Sequence, residues 1–455
     1  LANRSLKWSL KAKYIVIETK RTTMDLKIPA TGQARIVIIG GGFAGIELAQ
    51  RLKSLDLQVV LIDQNNYHNF QPLMYQVATG GLEPGSIAYP LRKFMQKIPN
   101  AIFRMAKVLS VSTEENLLKT DIGDLKYDHL VIATGSKTNF FNLDDASINA
   151  MKQLKSIPQS LDIRSYILEN FEEALLTSDP EKKAALMNIA IVGGGPTGVE
   201  LAGALGEMQH TILPKDYPEL DFRKMQVHLF EAQGALLNGM TDASQSKALK
   251  YIKEFGVKVW LNTAVKRYEL GRLELQSGEV LHAETVIWAA GVKGAPIDGM
   301  DTAVYHPNGR IKVDDFNRII GLNNVFAIGD VAAMSQTDYP RGHPMVAPVA
   351  IQQGILLAEN IKRLQKGQAL KPFKYFDKGS MATVGRNKAV VDFPGGHFNM
   401  GGFMAWIAWM FVHLLYLIGF KNKLTVMLGW VYNYINYDRT LRLIIRPSKQ
   451  DRVEV

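Results

Sequence analysis

Apolar positions along the chain alternate between two kinds of pattern. Residues 35–39, Arg-Ile-Val-Ile-Ile, form a short continuous run rich in β-branched side chains, as expected of a strand covered on both faces, and glycines follow at once. Ile46, Leu48, Ala49 and Leu52 then recur at helical spacing, and residues 58–62 return to a continuous apolar run that stops at Asp63. The order predicts strand, tight turn, helix, strand. It recurs at residues 188–192, 199–205 and 226–230, where the last strand stops at Glu231. Two further strands each run into a turn of small residues, one at Ala133, Thr134 and Gly135, the other at Ala289, Ala290 and Gly291. Residues 324–328 form another apolar run, ending in Gly329-Asp330 before the amphipathic stretch 347–364, which predicts a return of the chain to its first unit.

The pattern changes after residue 400. Residues 403–420 contain His413 as their only strongly polar member, and Lys421-Asn422-Lys423 ends the run. A second apolar stretch, 424–437, aligns Asn433, Asn436 and Thr440 on one helical side, ahead of Arg439, Arg442 and Arg446. A helix over the first run would reach about 27 Å, short of the roughly 30 Å of a hydrocarbon core. Two helices lying on a bilayer fit better, with Trp406, Trp409, Tyr416, Trp430 and Tyr432 at headgroup level; a helix packed in a dimer interface would carry the same aromatics.

Composition narrows this picture. A chain of 455 residues exceeds what one hydrophobic core usually serves, and 47% hydrophobic with 21% charged residues describes an ordinary globular protein. Cysteine is absent, which excludes disulfides, thiolate metal sites and redox-active thiol pairs, and the nine His show no metal-ligand spacing, so no metal is expected. The net charge of +10 gathers in residues 1–33 and 421–455, leaving the body nearly neutral. Basic ends beside apolar segments suit an anionic membrane surface better than nucleic acid, which calls for a basic folded face. The longest apolar run near the start, Tyr14-Ile15-Val16-Ile17, is too short for a secretory signal, so the expected location is cytoplasmic; Met24 is a candidate native start.

The glycine turns carry the chemistry. A G-x-G-x-x-G turn between strand and helix brings backbone N–H groups and a helix N-terminus to a pyrophosphate. Gly40, Gly42 and Gly45, with Phe43 and Ala44 between them, supply one such turn; Gly193, Gly195 and Gly198, enclosing Pro196 and Thr197, supply a second. Asp63 is placed for the ribose hydroxyls of an adenosine on the first turn. Glu231 falls later after its turn, across an apparent inserted loop at 209–224, and its carboxylate would repel a 2′-phosphate, favouring NADH over NADPH. Gly329-Asp330 could meet the ribitol and phosphate of a flavin; an ordinary strand-end turn would leave the same trace.

Together with Ala133-Thr134-Gly135 and Ala327-Ile328-Gly329-Asp330, these turns resemble the two-dinucleotide-domain flavoprotein reductases of the pyridine nucleotide-disulfide oxidoreductase type, over residues 34–396. More narrowly, residues 66–78 (NYHNFQPLMYQVA), residues 194–202 (GGPTGVELA), Gly379-Ser380-Met381-Ala382 and the apolar tail resemble type II NADH dehydrogenase, the single-subunit, non-proton-pumping NADH:quinone oxidoreductase. The quinone-side motif AQxAxQ is met at Ala347, Ala350 and Gln352, but Pro348 stands where its first Gln is expected. The resemblance implies an α/β fold of two Rossmann-type domains plus a C-terminal helical membrane-association region. The expected divisions are a basic extension at 1–33, an FAD-binding domain at 34–148 and 301–396, an NADH-binding domain at 149–300, and membrane-anchoring helices at 397–455. It implies bound FAD, NADH as substrate, a membrane quinone as acceptor, and a homodimer of the respiratory chain, peripheral on the cytoplasmic face of the cell membrane. Glu200, Gln352 and Gln353 are the implied catalytic candidates. Glu200 would adjust nicotinamide binding or proton supply, although an acid in a first helical turn is also favoured by the helix dipole alone. A soluble reductase for a protein carrier, or a flavin sensor with little turnover, would share the body but not the tail. Sulfide:quinone chemistry would need the missing cysteines.

Overall fold

The computed structural model describes residues 26–439 and 441–446. The expectations for residues 1–25, including Met24, for Thr440 and for 447–455 lie outside them.

The first apolar runs become a five-stranded parallel sheet in the order Val325–Ala327, His129–Ile132, Arg35–Ile39, Gln58–Asp63, Ala101–Met105. Its central strand shows why the run is continuously apolar. Ile36 and Ile38 pack into one cluster with Leu48, Ala350 and Leu357, from the helices Phe43–Arg51 and Ala347–Gln365. Val37 and Ile39 pack on the opposite side with Val111, Leu118 and Val313. Side chains alternate between faces, and both faces are dry. The helix Ala347–Gln365 is the chain's return to the first unit, and it crosses the Phe43–Arg51 helix so closely that a Cβ at Gly354 would press on Ala44 O.

A second five-stranded parallel sheet repeats the design in the order Lys152–Gln153, Thr285–Trp288, Ile189–Val192, Val227–Phe230, Lys258–Trp260. The two units are joined where Ser136–Thr138 pairs antiparallel with Val292–Gly294, and where Thr134 Oγ1 donates to Ala295 O at 2.6 Å. The stretch read as an inserted loop at 209–224 begins inside the helix Pro196–Thr211; Gln209 is buried there and its amide donates to Phe222 O and Met225 O, folding the following turn against the helix.

The C-terminal region differs from expectation in three respects. The boundary drawn at 396/397 falls within one antiparallel sheet, Ser380–Gly385, Lys388–Asp392 and Asn399–Gly402, which packs on the Pro196–Thr211 helix: at Gly203 a side chain would run into Val384 O. The apolar run 403–420 is not one helix. It forms Phe403–Tyr416, breaks at Leu417 to Gly419, where Gly419 takes φ +88°, and resumes as Phe420–Asn436. Among the described residues no helix is long and apolar enough to cross a membrane. Finally, the tail arginines turn inward. Arg439 pairs with Glu207 at 3.0 Å, Arg442 with Asp216 and Asp438, and Arg446 with Asp162 and Glu169. Carboxylates on the body reach these guanidinium groups in partly buried sites, where bidentate pairing outcompetes solvent. They tie the tail to the enzyme.

Both tail helices are two-faced. Ala405, Trp409 and Val426 are buried in the main core, whereas Phe411, Phe420, Leu428 and Ile435 are exposed.

Candidate functional site

The two glycine turns share a geometry that separates packing from binding. Gly40 has φ +107°, and a side chain there would overlap Ala133 O; one at Gly45 would overlap Gly40 O. Gly42 instead faces open space, with an ordinary φ of −74°. In the second turn Gly193, at φ +115°, abuts the backbone of Ala289 and Ala290, Gly198 abuts Gly193 O, and Gly195 faces open space. Neither following helix has a side-chain cap, so the first N–H groups are left for a ligand. These two cradles, each with one glycine whose Cβ would project into open space, fit a dinucleotide pyrophosphate. Pro196 and Thr197 are exposed at the second mouth, and Ala44 is buried beneath the first.

The strand-end acids also match. Asp63 accepts from the backbone N–H groups of Gly41 and Asn65, both at 2.7 Å, and Glu231 accepts from those of Gly194 at 2.6 Å and Gln233 at 2.9 Å. Burial raises the Asp63 pKa, and the two amides pull against it. Each acid stands beside its glycine turn, where a ribose would lie.

Around the first cradle, Gly135 and Gly329 take φ +71° and +75°. Asp330 accepts from Ser136 Oγ at 2.6 Å. Gln353 is fully buried and its Oε1 accepts from Gly329 N at 2.7 Å, so it holds the Gly329-Asp330 turn. Gln352 lies on another side of the helix, exchanging two hydrogen bonds of 2.9 Å with the Phe376 backbone. Neither contact is with a reacting group. Lys155, which carries no sequence signal, donates to Ser136 Oγ at 2.9 Å and to Gln71 Oε1 at 3.1 Å. At the second unit's closing turn, Gly291 takes φ +84° and faces Phe141.

Glu200 opens a different space. It lies in the Pro196–Thr211 helix, is 7% exposed, and lines a cavity of about 100 Å³ with Tyr75, Thr383, Trp406, Trp409 and Trp430. Burial pushes its carboxyl up to about 8; the Thr383 backbone N–H, 3.4 Å from Oε1, opposes the shift, and the Trp409 indole N–H adds a weaker pull without reaching hydrogen-bond geometry. Gln76 fixes two walls, accepting from Trp430 Nε1 at 2.7 Å and donating to Tyr75 OH at 2.9 Å. Arg386 stacks over Tyr434 and Tyr437 at the rim. His413 explains its place in an apolar run: its ring stacks on Trp409 at 3.9 Å, Nδ1 lies 2.6 Å from Trp409 O, and burial lowers its pKa to about 4, so it is neutral at physiological pH. The cavity therefore has one wall from the second glycine-turn helix, one from residues 75–81, and one from the tail.

Comparison with known proteins identifies the family and the fold. The family described as pyridine nucleotide-disulphide oxidoreductase matches residues 34–354, and the NDH2 C-terminal domain matches residues 378–436. The chain is 35% identical over 424 residues to the type II NADH:quinone oxidoreductase Ndh of Mycobacterium tuberculosis, covering 89% of each chain. Among solved structures, NDH2 from Plasmodium falciparum in complex with NADH superposes with a TM-score of 0.82 at 21% identity, over 91% of this chain and 100% of that one. The sulfide:quinone oxidoreductase of Aquifex aeolicus superposes with a TM-score of 0.68 at 20% identity, over 91% and 96%, and shows a shared fold.

Proposed function

The chain belongs to the type II NADH:quinone oxidoreductase family, and from that premise we propose which of its residues do the work and where. It is a non-proton-pumping NADH:quinone oxidoreductase. FAD, when bound, accepts hydride from NADH and delivers two electrons to the quinone. In the proposed assignment Gly40, Gly42, Gly45, Asp63 and Asp330 hold FAD, with Gln353 positioning the Asp330 turn, while Gly193, Gly195, Gly198 and Glu231 receive NADH. The reading extends to a homodimer seated on the cytoplasmic face of a membrane through the exposed apolar faces of the tail helices.

One observation carries the assignment of the acceptor side: Glu200 sits on the helix that opens at the nicotinamide-side turn yet faces a cavity closed by the tail. Quinone becomes quinol by taking up two electrons and two protons, one of which arrives with the hydride and one from solvent. A buried carboxyl that keeps its proton up to about pH 8 can pass a proton inward. Glu200→Gln removes that proton. Its quinone-dependent turnover falls roughly 100-fold, while reduction by NADH in single-turnover mixing without quinone keeps the native rate. The native enzyme loses quinone turnover as pH rises through about 8, where the proton leaves, and the variant shows no such limb. Identical turnover and pH profiles in the two proteins would remove Glu200 from the mechanism; equal NADH oxidation with and without quinone would remove the acceptor.

A further inference from the structure

Beside the first cradle lies a charge cluster that the hydride-transfer scheme does not use. Asp330, in the turn after strand Val325–Ala327, accepts from Ser136 Oγ at 2.6 Å, and the same hydroxyl accepts from Lys155 Nζ at 2.9 Å. Gln71 Oε1, in the short helix Gln71–Leu73, takes a second Lys155 proton at 3.1 Å. Both acceptors are neutral, and among the described residues no carboxylate forms a salt bridge with Lys155. Asp330 exerts a through-space pull on its charge, and burial opposes it. A second cation feels the same carboxylate: Arg310 is 4% exposed, donates to Ala332 O, and leaves Nε without a partner. A half-buried ammonium and a buried guanidinium thus share one half-buried carboxylate, leaving an excess of positive charge in a partly desolvated place. Such an arrangement is unfavourable unless an anion completes it.

The location says which anion. Ser136 follows Gly135, one of the positions open to space at the cradle, and Gln71 follows Phe70, whose ring lies 5.8 Å from that of Phe43 in the glycine turn. Lys155 itself comes from the other unit, two residues beyond the strand Lys152–Gln153, and reaches across the crossover into the first. Hydride transfer moves two electrons and one proton, leaves NAD⁺, and adds one negative charge to the acceptor.

Resting on the reading that this cradle holds FAD, we propose that Lys155 is the positioning residue that sets the flavin's reduction potential, its ammonium stabilising the negative charge gained on reduction by NADH. Its removal leaves Asp330 less compensated, which opposes that charge further. The electrostatic weight of a partly desolvated ammonium is several-fold that of the same group in water.

The test uses the full-length holoenzyme with Lys155→Gln, Lys155→Met and Lys155→Arg. The FAD content is read from the visible absorbance, and the midpoint potential from equilibration against reference dyes. Both neutral variants are expected to shift the equilibrium for reduction about tenfold against the reduced form, which for a two-electron couple is about 30 mV more negative; K155R stays with the native protein. An unchanged potential in the neutral variants overturns the proposal, and so does a shift in K155R as large as theirs, since geometry rather than charge would then be at work. Loss of FAD from both neutral variants, whether or not K155R retains it, overturns the proposal, since the ammonium would then hold the oxidised cofactor and not the charge gained on reduction. A native protein without flavin absorbance would instead defeat the cradle reading, independently of Lys155.

Discussion

At the scale of single residues, the glycine turns separate two demands that a sequence motif merges. Gly45 is glycine because Gly40 O occupies the space of its side chain; Gly42 has room for one and an ordinary φ. Gly45→Ala must therefore displace the backbone, at about 1 to 3 kcal/mol of lost stability, and lower the melting temperature even without FAD. Gly42→Ala should melt like the native apoprotein and yet fail to bind FAD in a fluorescence titration, because its methyl group would stand where the pyrophosphate approaches. Tight FAD binding by G42A would refute the cradle. The turns were legible in sequence because spacing alone fixes a backbone path. The contacts of Gln353 and Lys155 were not, since what a side chain meets depends on how distant segments cross: the resemblance makes Gln353 a catalytic candidate, and its bond to the Gly329 backbone shows only in the folded chain. Pro348, which breaks the family's AQxAxQ pattern, has a local explanation. It occupies the first turn of the Ala347–Gln365 helix, where a backbone N–H has no intrahelical partner to lose.

At the scale of elements, the tail shows what hydropathy can and cannot specify. The apolar run from 403 was plain, but its division at Leu417 to Gly419 and the pairing of Arg439, Arg442 and Arg446 with body carboxylates depend on tertiary partners. Three aromatic positions proposed for a headgroup layer, Trp406, Trp409 and Trp430, line the cavity instead, and Trp409 is fully buried. Deleting residues 403–455 would therefore uncover core and confound any test of membrane binding. Substitution on the exposed face avoids this. Phe420 and Leu428 are 81% and 56% exposed, so Phe420→Glu and Leu428→Glu remove no core contact. If this face enters a bilayer, each change forfeits at least about 1.5 kcal/mol of apolar transfer, or about tenfold in affinity. Vesicle flotation should show weakened binding, with turnover on a short-chain soluble quinone preserved. Unaltered flotation of both variants would place the membrane contact elsewhere.

At the scale of the whole molecule, the first domain is assembled from segments far apart in the chain. Its edge strand Val325–Ala327 arrives after the entire second domain and pairs only with His129–Ile132 within the sheet. The residues assigned to FAD come from both of its segments: Gly40, Gly42, Gly45 and Asp63 from the first, and Asp330 from the second. A ligand held by such distant segments binds the folded domain and has no site on the unfolded chain, so it stabilises by mass action. At a free concentration 100 times its dissociation constant this amounts to about 2.7 kcal/mol. The second domain's own cradle is built from residues 193–198 and 231, so FAD acts on that domain through the contacts between the two units. Its connection to the first includes the pairing of 136–138 with 292–294, the Thr134 to Ala295 hydrogen bond and Lys155, and it also includes a shared core in which the helix Met74–Ala78 packs on Ile157–Leu176 and Leu73 and Val77 are buried with Ile163, Ile167 and Leu201. Because the two units share a core, stripping FAD should lower a joint melting transition in calorimetry, and re-addition of FAD should restore it. NADH added to the apoprotein should raise the same transition independently of FAD. A transition that FAD does not move would contradict the assignment of the first cradle, and one that NADH does not move would contradict that of the second.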